Sequence, residues 1–518
     1  MPITRRRFLT HSGLAAAGGT VAAPHLARPA DAPAQAGQKP ARIIHLVADG
    51  MSMGTLTCAD HLAQLLRGRG LAWLQLYNAP GAQTGLMNVR SLNSLVTDSS
   101  ASACAWGSGS RIVNGTVNIL PDGRVLKTLY ELFGEAGWKR GLVTTTEITH
   151  ATPAGFAASG LKREAAEAIA VQYLERGVEV LLGGGRKFFD PKLRKDKRDV
   201  KADYRAKGYA VMETAADLQA APLDVPWLGT FDKSHLPFTL DQLSDAQAQA
   251  NVPTLAVLTR RALAKLERES RFILQVEGGR VDHACHVCDA AGALHDQIAF
   301  DEALEVCVEF QKRHPDTLLV ITTDHGNGNL GLNGSGTAYS FSSPLFANLK
   351  LVKASFVTIM QRLRLPNPME APAAPAAPGS APAPPPPKYD PVLDVTEIRK
   401  LIRETTGYDA TEQRVKLLVP FLEKKGVPMY ALMNSVSAQL GQMLGNHLGI
   451  GWTSNAHTAD YVPVLALGPG AERFRGFIQN TDIFQHYTAL ANIDFRNPAV
   501  PLLAEAGTNA GAEDAHWV

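Results

Sequence analysis

The stretch ARIIHLVADG, residues 41–50, runs through a short apolar segment and stops at an aspartate and a glycine. Apolar residues at successive positions are typical of a strand that is buried on both faces of a parallel sheet. Similar runs, each ending in Gly, Asp or Thr, are RGLVTTTE, VEVLLGGG, RFILQVEGG, DTLLVITTDHG and YVPVLALGPG. Helical patterns such as residues 163–176 and 252–269 lie between them. The sequence therefore predicts a doubly wound α/β fold with a mostly parallel central sheet flanked by helices.

Composition and charge exclude several classes of protein. The chain has 518 residues, is 45% hydrophobic, and carries 51 basic against 49 acidic side chains. Bulk charge therefore gives no reason to expect nucleic-acid binding, and after the first residues no apolar run is long enough to span a membrane. The five cysteines are too few to predict a disulfide framework. Cys285 and Cys288 form a CxxC pair, which fits a redox pair, half of a zinc site or one local disulfide.

Differences in composition divide the chain into segments. Thr4-Arg5-Arg6-Arg7-Phe8-Leu9 precedes a weakly apolar segment and resembles a bacterial twin-arginine signal. This predicts recognition by the twin-arginine export machinery and a periplasmic or secreted location. The predicted segments are an export signal and tail (1–36), the first part of the α/β domain (37–364), a Pro/Ala-rich linker (365–391), a helical insertion (392–450) and the C-terminal part of the α/β domain (451–518).

Carboxylates and histidines collect where the predicted strands end, which is the edge where functional groups of an open parallel sheet meet. They are Asp49, Glu277, Asp282, His286, Asp324, His325 and His457. Each alone would be an ordinary strand-end or structural residue. Several carboxylates brought together would repel one another without cations, so the sequence predicts a metal centre.

The ligand types divide into two sets that suit zinc and one oxygen-only set that suits magnesium. The sets are Asp282, His286 and His457 for one zinc ion, Asp49, Asp324 and His325 for a second, and Asp49, Glu277 and the Thr152 hydroxyl for magnesium. The prediction is two Zn²⁺ and one Mg²⁺ per chain, with the zinc ions close enough to hold the attacking and leaving oxygens of a displacement.

A set of motifs between residues 42 and 470 resembles the alkaline phosphatase family, in the same order along the chain. They are HLVADGM, VTDSSASACAW, THATPAGFAA, QVEGGRVDHACH, TTDHG and SNAHTADY. The resemblance implies an enzyme that hydrolyses small phosphate monoesters through a phosphoserine intermediate. Members of the family are often homodimers, so a homodimer is implied here, with a monomer as the alternative.

The motif VTDSSASACAW holds the candidate nucleophile. Asp98 suits a helix N-cap, which places Ser99 at the first helical position, beside free backbone N–H groups that favour a phosphate. Ser99 also matches the serine that the family phosphorylates. Ser100 is expected to point elsewhere, and Ser102 is expected to be a small packing residue. Without the metal centre, the whole motif would be interpreted as a capping sequence.

Three further residues take roles from the family resemblance. Arg163, eleven residues beyond Thr152, matches the phosphate-binding arginine, and its alternative is a solvated arginine at a helix start. His150 and His283 resemble the two-histidine version of the family. They are expected to lie around the magnesium site and to contact phosphate through water, and direct ligation is left open for both.

Two other functions fit parts of the same pattern. A phosphodiesterase or sulfatase of the same superfamily would share the two-metal core, although the sulfatase CxPxR-type sequence is absent. An exported metal-binding or phosphate-binding protein would keep the site without turnover, but such a protein would be expected to lack the nucleophile or a zinc ligand. The sequence therefore favours the phosphomonoesterase.

Overall fold

The computed structural model of the chain describes residues 39–334, 338–367 and 389–502. The predicted export signal at 1–36 and most of the Pro/Ala-rich segment at 365–391 lie outside the described residues.

One large sheet organises the described residues. Its strands in chain order are β1 (Arg42–Val47), β2 (Gln83–Asn88), β3 (Lys139–Glu147), β4 (Val180–Gly184), β5 (Ala210–Met212), β6 (Trp227–Thr230), β7 (Phe272–Glu277), β8 (Thr317–Thr322), β9 (Val462–Leu467) and β10 (Gly476–Gln479). Their spatial order is β10-β2-β9-β8-β1-β7-β3-β4-β6-β5. Two-residue strands form three small pairs: Thr116–Val117 with Leu161–Lys162, Gly326–Asn327 with His457–Thr458, and Gly331–Leu332 with Ile450–Gly451.

The sheet is mostly parallel, as predicted. The strands from β8 to β5 in the spatial order all run parallel to their neighbours. The exception is β9, which is antiparallel to both β8 and β2. The prediction of a parallel strand for YVPVLALGPG was therefore wrong in direction. Burial on both faces makes a strand apolar throughout whichever way it runs, so the apolar pattern carries no information about direction.

Helices cover both faces of the sheet. In chain order they are α1 (Met53–Arg67), α2 (Ala72–Leu76), α3 (Ser99–Ser108), α4 (Leu129–Glu135), α5 (Ala151–Ala157), α6 (Ala166–Glu175), α7 (Val200–Ala206), α8 (Ala215–Ala220), α9 (Thr239–Ser244), α10 (Ala246–Asn251), α11 (Leu255–Leu266), α12 (Arg280–His286), α13 (Ala290–Arg313), α14 (Ser342–Ala347), α15 (Phe356–Arg362), α16 (Val395–Thr406), α17 (Glu412–Leu422), α18 (Val436–Leu448) and α19 (Asn480–Leu490). Within the described part of the chain, none of these helices has the length and apolar character needed to cross a membrane.

Strand β1 shows why the central strands carry apolar side chains on both faces of the sheet. Ile44 and Leu46 pack into a core with α1, α11 and α13, whereas Ile43 and Val47 pack into a second core with α3, α5 and α19. All four side chains are fully buried. Because neither face of the strand meets water, the hydrophobic effect selects apolar residues at odd and even positions alike.

The helices α16, α17 and α18 lie within the segment 392–450. Ile398, Leu418 and Leu444 are buried in the same core as α1, α11 and α13, so these helices extend that face of the molecule. The chain enters the segment where the amide of Val392 donates to the carbonyl of Leu363 at 3.1 Å. The two described ends of the Pro/Ala-rich segment therefore lie side by side.

Candidate active site

Neighbouring strands bring the buried carboxylates to one edge of the sheet. Strands β8, β1 and β7 are adjacent and parallel, and Val47 is in register with both Thr322 and Glu277. Asp49 and Asp324 follow the ends of β1 and β8, and Glu277 is the last residue of β7. These three carboxylates are fully buried. The carboxyl edge therefore gathers negative charge away from solvent.

The first cluster consists of Asp282, His286 and His457. Asp282 and His286 lie one turn apart on α12, and the Nε2 atom of His286 is 3.3 Å from Oδ2 of Asp282. His457 arrives on the two-residue strand that pairs with Gly326–Asn327, and its Nε2 atom lies 3.6 Å from Oδ1 of Asp282. The Nε2 atoms of the two histidines are 3.0 Å apart.

Backbone carbonyls orient both histidines of the first cluster. The Nδ1–H of His286 donates to the carbonyl of Asn455 at 3.0 Å, and the Nδ1–H of His457 donates to the carbonyl of Thr97 at 2.8 Å. A neutral imidazole that donates through Nδ1 has a free lone pair on Nε2. Both lone pairs are therefore directed towards Asp282, which is the arrangement that metal-binding histidines adopt.

The second cluster consists of Asp49, Asp324 and His325. The Nε2 atom of His325 lies 3.1 Å from Oδ2 of Asp324 and 3.6 Å from Oδ1 of Asp49, and all three side chains are fully buried. The Oγ atom of Ser99 lies 3.1 Å from the same Nε2 atom. The predicted nucleophile and the second predicted zinc set thus converge on one point.

The third cluster consists of Asp49, His150 and Glu277, whose ligand atoms all lie within 4.8 Å of one another. Glu277 accepts a hydrogen bond from the Thr144 hydroxyl at 2.5 Å. Burial raises the pKa of Glu277 to about 7, although the hydroxyls of Thr144 and Thr152 act in the opposite direction. Asp49 belongs to both the second and the third cluster, so the two clusters are contiguous.

The clusters have the properties of cation sites. Within the described residues, neither carboxylate oxygen of Asp49, nor Oε1 of Glu277, nor Nδ1 of His150 has a hydrogen-bond partner, although all are buried. Burial, followed by the charges of Asp324, Asp282 and Glu277, raises the pKa of Asp49 well above its ordinary value. Buried polar atoms are normally satisfied. Orphaned oxygen and imidazole atoms of this kind therefore fit bound metal ions.

The helix α3 holds Ser99 as the sequence indicated. Asp98 is the N-cap, and its Oδ1 atom accepts a hydrogen bond from the amide of Ala101 at 2.8 Å. Ser99 is the first helical residue and is only 1% exposed. The neighbouring hydroxyls point elsewhere, since Ser100 donates to the carbonyl of Thr116 and Ser102 donates to the carbonyl of Asp324.

Arg163 lies beside the same helix start. It precedes α6, which begins at Ala166, and its backbone amide donates to the carbonyl of Gly115 at 3.1 Å. Its Nη1 atom is 3.1 Å from Oδ2 of Asp98, and 27% of its side chain is exposed. Arg163 is therefore a partly buried and paired residue, unlike the solvated arginine of the alternative interpretation.

Among the described residues, three histidines lie around the third cluster, which is one more than the sequence indicated. The rings of His150, His235 and His283 have centroid separations of 4.4 to 5.7 Å. His235 lies in the loop that follows the end of β6 at Thr230. The run WLGT is too short for its apolar pattern to predict a strand, so the sequence gives no reason to expect a site residue in the DKSHLPF sequence that follows it.

The CxxC pair does not form a disulfide. Cys285 and Cys288 are both free and buried, and burial raises the pKa of Cys288 to about 12. The Cys288 thiol contacts the carbonyl of Ser454 at 3.7 Å. Because both thiols are free, the local disulfide is removed from the three interpretations of the motif.

Carboxylate–histidine clusters beside a serine at a helix start, on the carboxyl edge of a parallel sheet, are typical of metal-dependent hydrolases of phosphate esters. Residues 41–493 match the family model described as alkaline phosphatase. The chain belongs to the alkaline phosphatase family. It is therefore a phosphatase, and the family as a whole is metal-dependent and acts on phosphate monoesters.

Comparisons with individual relatives support this family assignment. Alkaline phosphatase 3 of Bacillus subtilis is 30% identical over 395 residues, which cover 75% of this chain and 75% of that protein. The crystal structure of Thermus thermophilus alkaline phosphatase superposes with a TM-score of 0.78 at 34% identity, covering 90% of this chain and 94% of that one. The cold-active alkaline phosphatase of a psychrophilic Shewanella sp. gives a TM-score of 0.68 at 26% identity, with coverages of 87% and 99%. These relatives confirm the predicted fold and favour the phosphatase over the diesterase, sulfatase and binding-protein alternatives.

Proposed function

We propose that the chain hydrolyses small phosphate monoesters through a phosphoserine intermediate at Ser99, with two Zn²⁺ and one Mg²⁺ bound in the three clusters. The observation that carries this proposal is the position of Ser99. Its Oγ atom is 3.1 Å from Nε2 of His325, where the second cluster meets the start of α3.

The donor types support this distribution of ions. The first and second clusters combine carboxylate and imidazole, which suits zinc. The buried Thr152 hydroxyl acts on Glu277 and has no hydrogen-bond partner among the described residues, so with it the third cluster is richer in oxygen and suits magnesium. When bound, the ions supply positive charge that lowers the pKa of a coordinated hydroxyl or water and stabilises the reacting and leaving oxygens.

The reaction would proceed in two displacements on phosphorus. Ser99 Oγ gives its proton to water and attacks in line with the ester oxygen, so an Oγ–P bond forms as the ester O–P bond breaks, and the alcohol leaves with a proton from water. A water molecule then attacks phosphorus from the side that the alcohol left. The Oγ–P bond breaks, inorganic phosphate is released, and Ser99 Oγ takes up a proton that the attacking water gives up.

Chain residues would also hold the phosphoryl oxygens. The first N–H groups of α3 have no partners within the helix, and this positive end of the helix, where Ser99 lies, favours negative charge. Arg163 carries several N–H donors in one plane, and its contact with Asp98 orients that plane at the start of α3. Most of the rate enhancement would therefore come from positioning and charge stabilisation.

The experiment that tests this proposal combines metal analysis with turnover. Purified protein would be analysed by mass spectrometry for metals and assayed for p-nitrophenyl phosphate hydrolysis at alkaline pH, before and after chelation. We expect two zinc ions and one magnesium ion per chain, with activity lost on chelation and restored by these metals. Metal binding without monoester turnover would contradict the reaction, and the absence of bound metal after reconstitution would contradict the site.

The same proposal includes the cellular location and the oligomeric state of the enzyme. The Arg5-Arg6-Arg7 run supports twin-arginine export to the periplasm. Replacing Arg5, Arg6 and Arg7 by lysine should retain the protein in the cytoplasm, and export of that variant at the normal level would contradict this route.

The homodimer implied by the family would appear as twice the chain mass in light scattering, whereas a single-chain mass would contradict it.

A further inference from the structure

Arg280 is a buried arginine that the proposed reaction leaves without a role. It is the first residue of α12 and is 5% exposed. Its guanidinium lies 3.6 Å above the ring centroid of Phe238, and its Nη1 atom is 2.8 Å from Nδ1 of His283. Arg280 and His283 are three residues apart, so they lie on the same face of the helix.

The chemistry of arginine fixes the direction of the contact with His283. A guanidinium carries only N–H donors and stays protonated in proteins. Nδ1 of His283 must therefore be the acceptor and must carry no proton. A neutral imidazole with an unprotonated Nδ1 carries its proton on Nε2. With one nitrogen accepting from Arg280 and the other protonated, His283 has no free lone pair for a metal ion.

The neighbouring histidines provide a contrast. Nδ1 of His235 accepts a hydrogen bond from the backbone amide of Glu147 at 3.1 Å, so this ring also carries its proton on Nε2. Nδ1 of His150 is buried and has no hydrogen-bond partner among the described residues. His150 also lies within ligand distance of Asp49 and Glu277, whereas neither of the other two rings joins that group.

We propose that Arg280 is a positioning residue that holds His283 as an Nε2–H donor and thereby sets the metal preference of the third cluster. This inference rests on the proposed function, because it concerns the ion that the third cluster binds. Asp49, Glu277, Thr152 and His150 then form a mainly oxygen donor set, which suits magnesium. A second imidazole ligand would shift the preference towards zinc, since imidazole binds zinc better than magnesium.

The first test is Arg280→Met, which removes the donors and keeps a long apolar side chain beside Phe238. Wild-type and variant proteins would be stripped of metal, reconstituted with equal zinc and magnesium, and analysed by mass spectrometry. We expect zinc in the variant to rise from two towards three per chain and its magnesium affinity to fall by about 10- to 100-fold, as for other groups that orient metal ligands. An unchanged ratio of zinc to magnesium would overturn the proposal.

A matched control separates this effect from the general loss of a buried charge. Arg194 is 2% exposed and forms an ion pair with Asp196 at 2.6 Å. Arg194→Met should leave the ratio of zinc to magnesium at its wild-type value. A rise in zinc in this control equal to that in Arg280→Met would overturn the specific role of Arg280.

The second test needs no change at Arg280, so it remains decisive if Arg280→Met does not fold. Nitrogen-15 spectra of histidine-labelled, metal-free protein report which ring nitrogen carries the proton, and the signals missing in His283→Gln assign His283. We expect the proton on Nε2, and a proton on Nδ1 would overturn the proposal. This spectrum does not depend on turnover, so failure of the proposed phosphatase reaction and failure of the Arg280 role are distinguishable.

Discussion

The Nη1 atom of Arg163 lies 3.1 Å from Oδ2 of Asp98, the residue that caps the helix of Ser99. The same oxygen accepts the amide of Gly115 at 2.8 Å, while Oδ1 accepts the amide of Ala101. One carboxylate therefore fixes the start of α3 and the arginine beside it. This shared anchor explains how residues far apart in sequence meet at the proposed phosphate site.

Replacing Arg163 by lysine should weaken phosphate binding. Lysine keeps the positive charge but loses the planar set of N–H donors. We expect kcat/KM for p-nitrophenyl phosphate to fall, and the inhibition constant of inorganic phosphate to rise, by about 10- to 100-fold, from the loss of charged hydrogen bonds. Arg176→Lys is the matched control, since Arg176 pairs with Glu131 and not with the Asp98 cap. Equal effects of the two substitutions would argue against phosphate binding by Arg163.

Replacing Ser99 by alanine should abolish the phosphoserine intermediate. Because Oγ is the proposed nucleophile, we expect kcat to fall by about a thousandfold or more. Zinc content and phosphate binding should be retained, because the histidine and carboxylate ligands remain. The control is Ser100→Ala, whose hydroxyl is bonded to the carbonyl of Thr116. Near-normal turnover of Ser99→Ala, measured with p-nitrophenyl phosphate, would assign the attack to water or to another hydroxyl.

Much of the site could be predicted from sequence because it follows the ends of strands. Asp49, Glu277 and Asp324 belong to parallel strands that are direct neighbours, so the carboxyl edge brings them together. The helical spacing of Asp282 and His286 is equally local. These relationships can be predicted from the type of each element and the general topology of a doubly wound sheet alone.

Other parts of the structure depend on contacts that a local pattern does not encode. His457 reaches the first cluster through a two-residue pairing with Gly326–Asn327, and such a short strand leaves no periodic signal. His235 follows a strand of only four residues, which is too short to be predicted from its apolar pattern. The predicted direction of β9 was also wrong, because a strand that is buried on both faces has the same apolar pattern in either direction.

Acid should destabilise the protein partly through His45. His45 is fully buried beside Tyr487, and burial lowers its pKa from 6.5 to about 3. Between these values the unfolded chain binds a proton that the folded chain does not, so stability falls as the pH falls below 6.5. The loss is about 1.4 kcal/mol for each pH unit in that range.

The variant His45→Gln isolates this effect, because glutamine does not titrate and its amide can still bond to the Tyr487 hydroxyl. Free energies of unfolding would be measured in urea at pH 7.5 and pH 5. We expect wild type to lose about 2 kcal/mol more than the variant over this interval. Both proteins share the other titrating groups, so equal losses would contradict a depressed pKa for His45.

Removal of residues 366–388 should leave the metal centre intact. The amide of Val392 donates to the carbonyl of Leu363 at 3.1 Å, and Arg364 forms an ion pair with Asp390 at 3.4 Å, so the two ends of the deleted segment already lie together. A short connection can therefore close the gap, and shortening the loop should raise the free energy of unfolding by about 1 kcal/mol or leave it unchanged. Zinc and magnesium content and kcat should match those of wild type.

A control that replaces the segment with a Gly/Ser sequence of equal length separates the effect of length from that of composition. Loss of zinc in both variants would show that the segment stabilises the site, which would contradict its assignment as a linker.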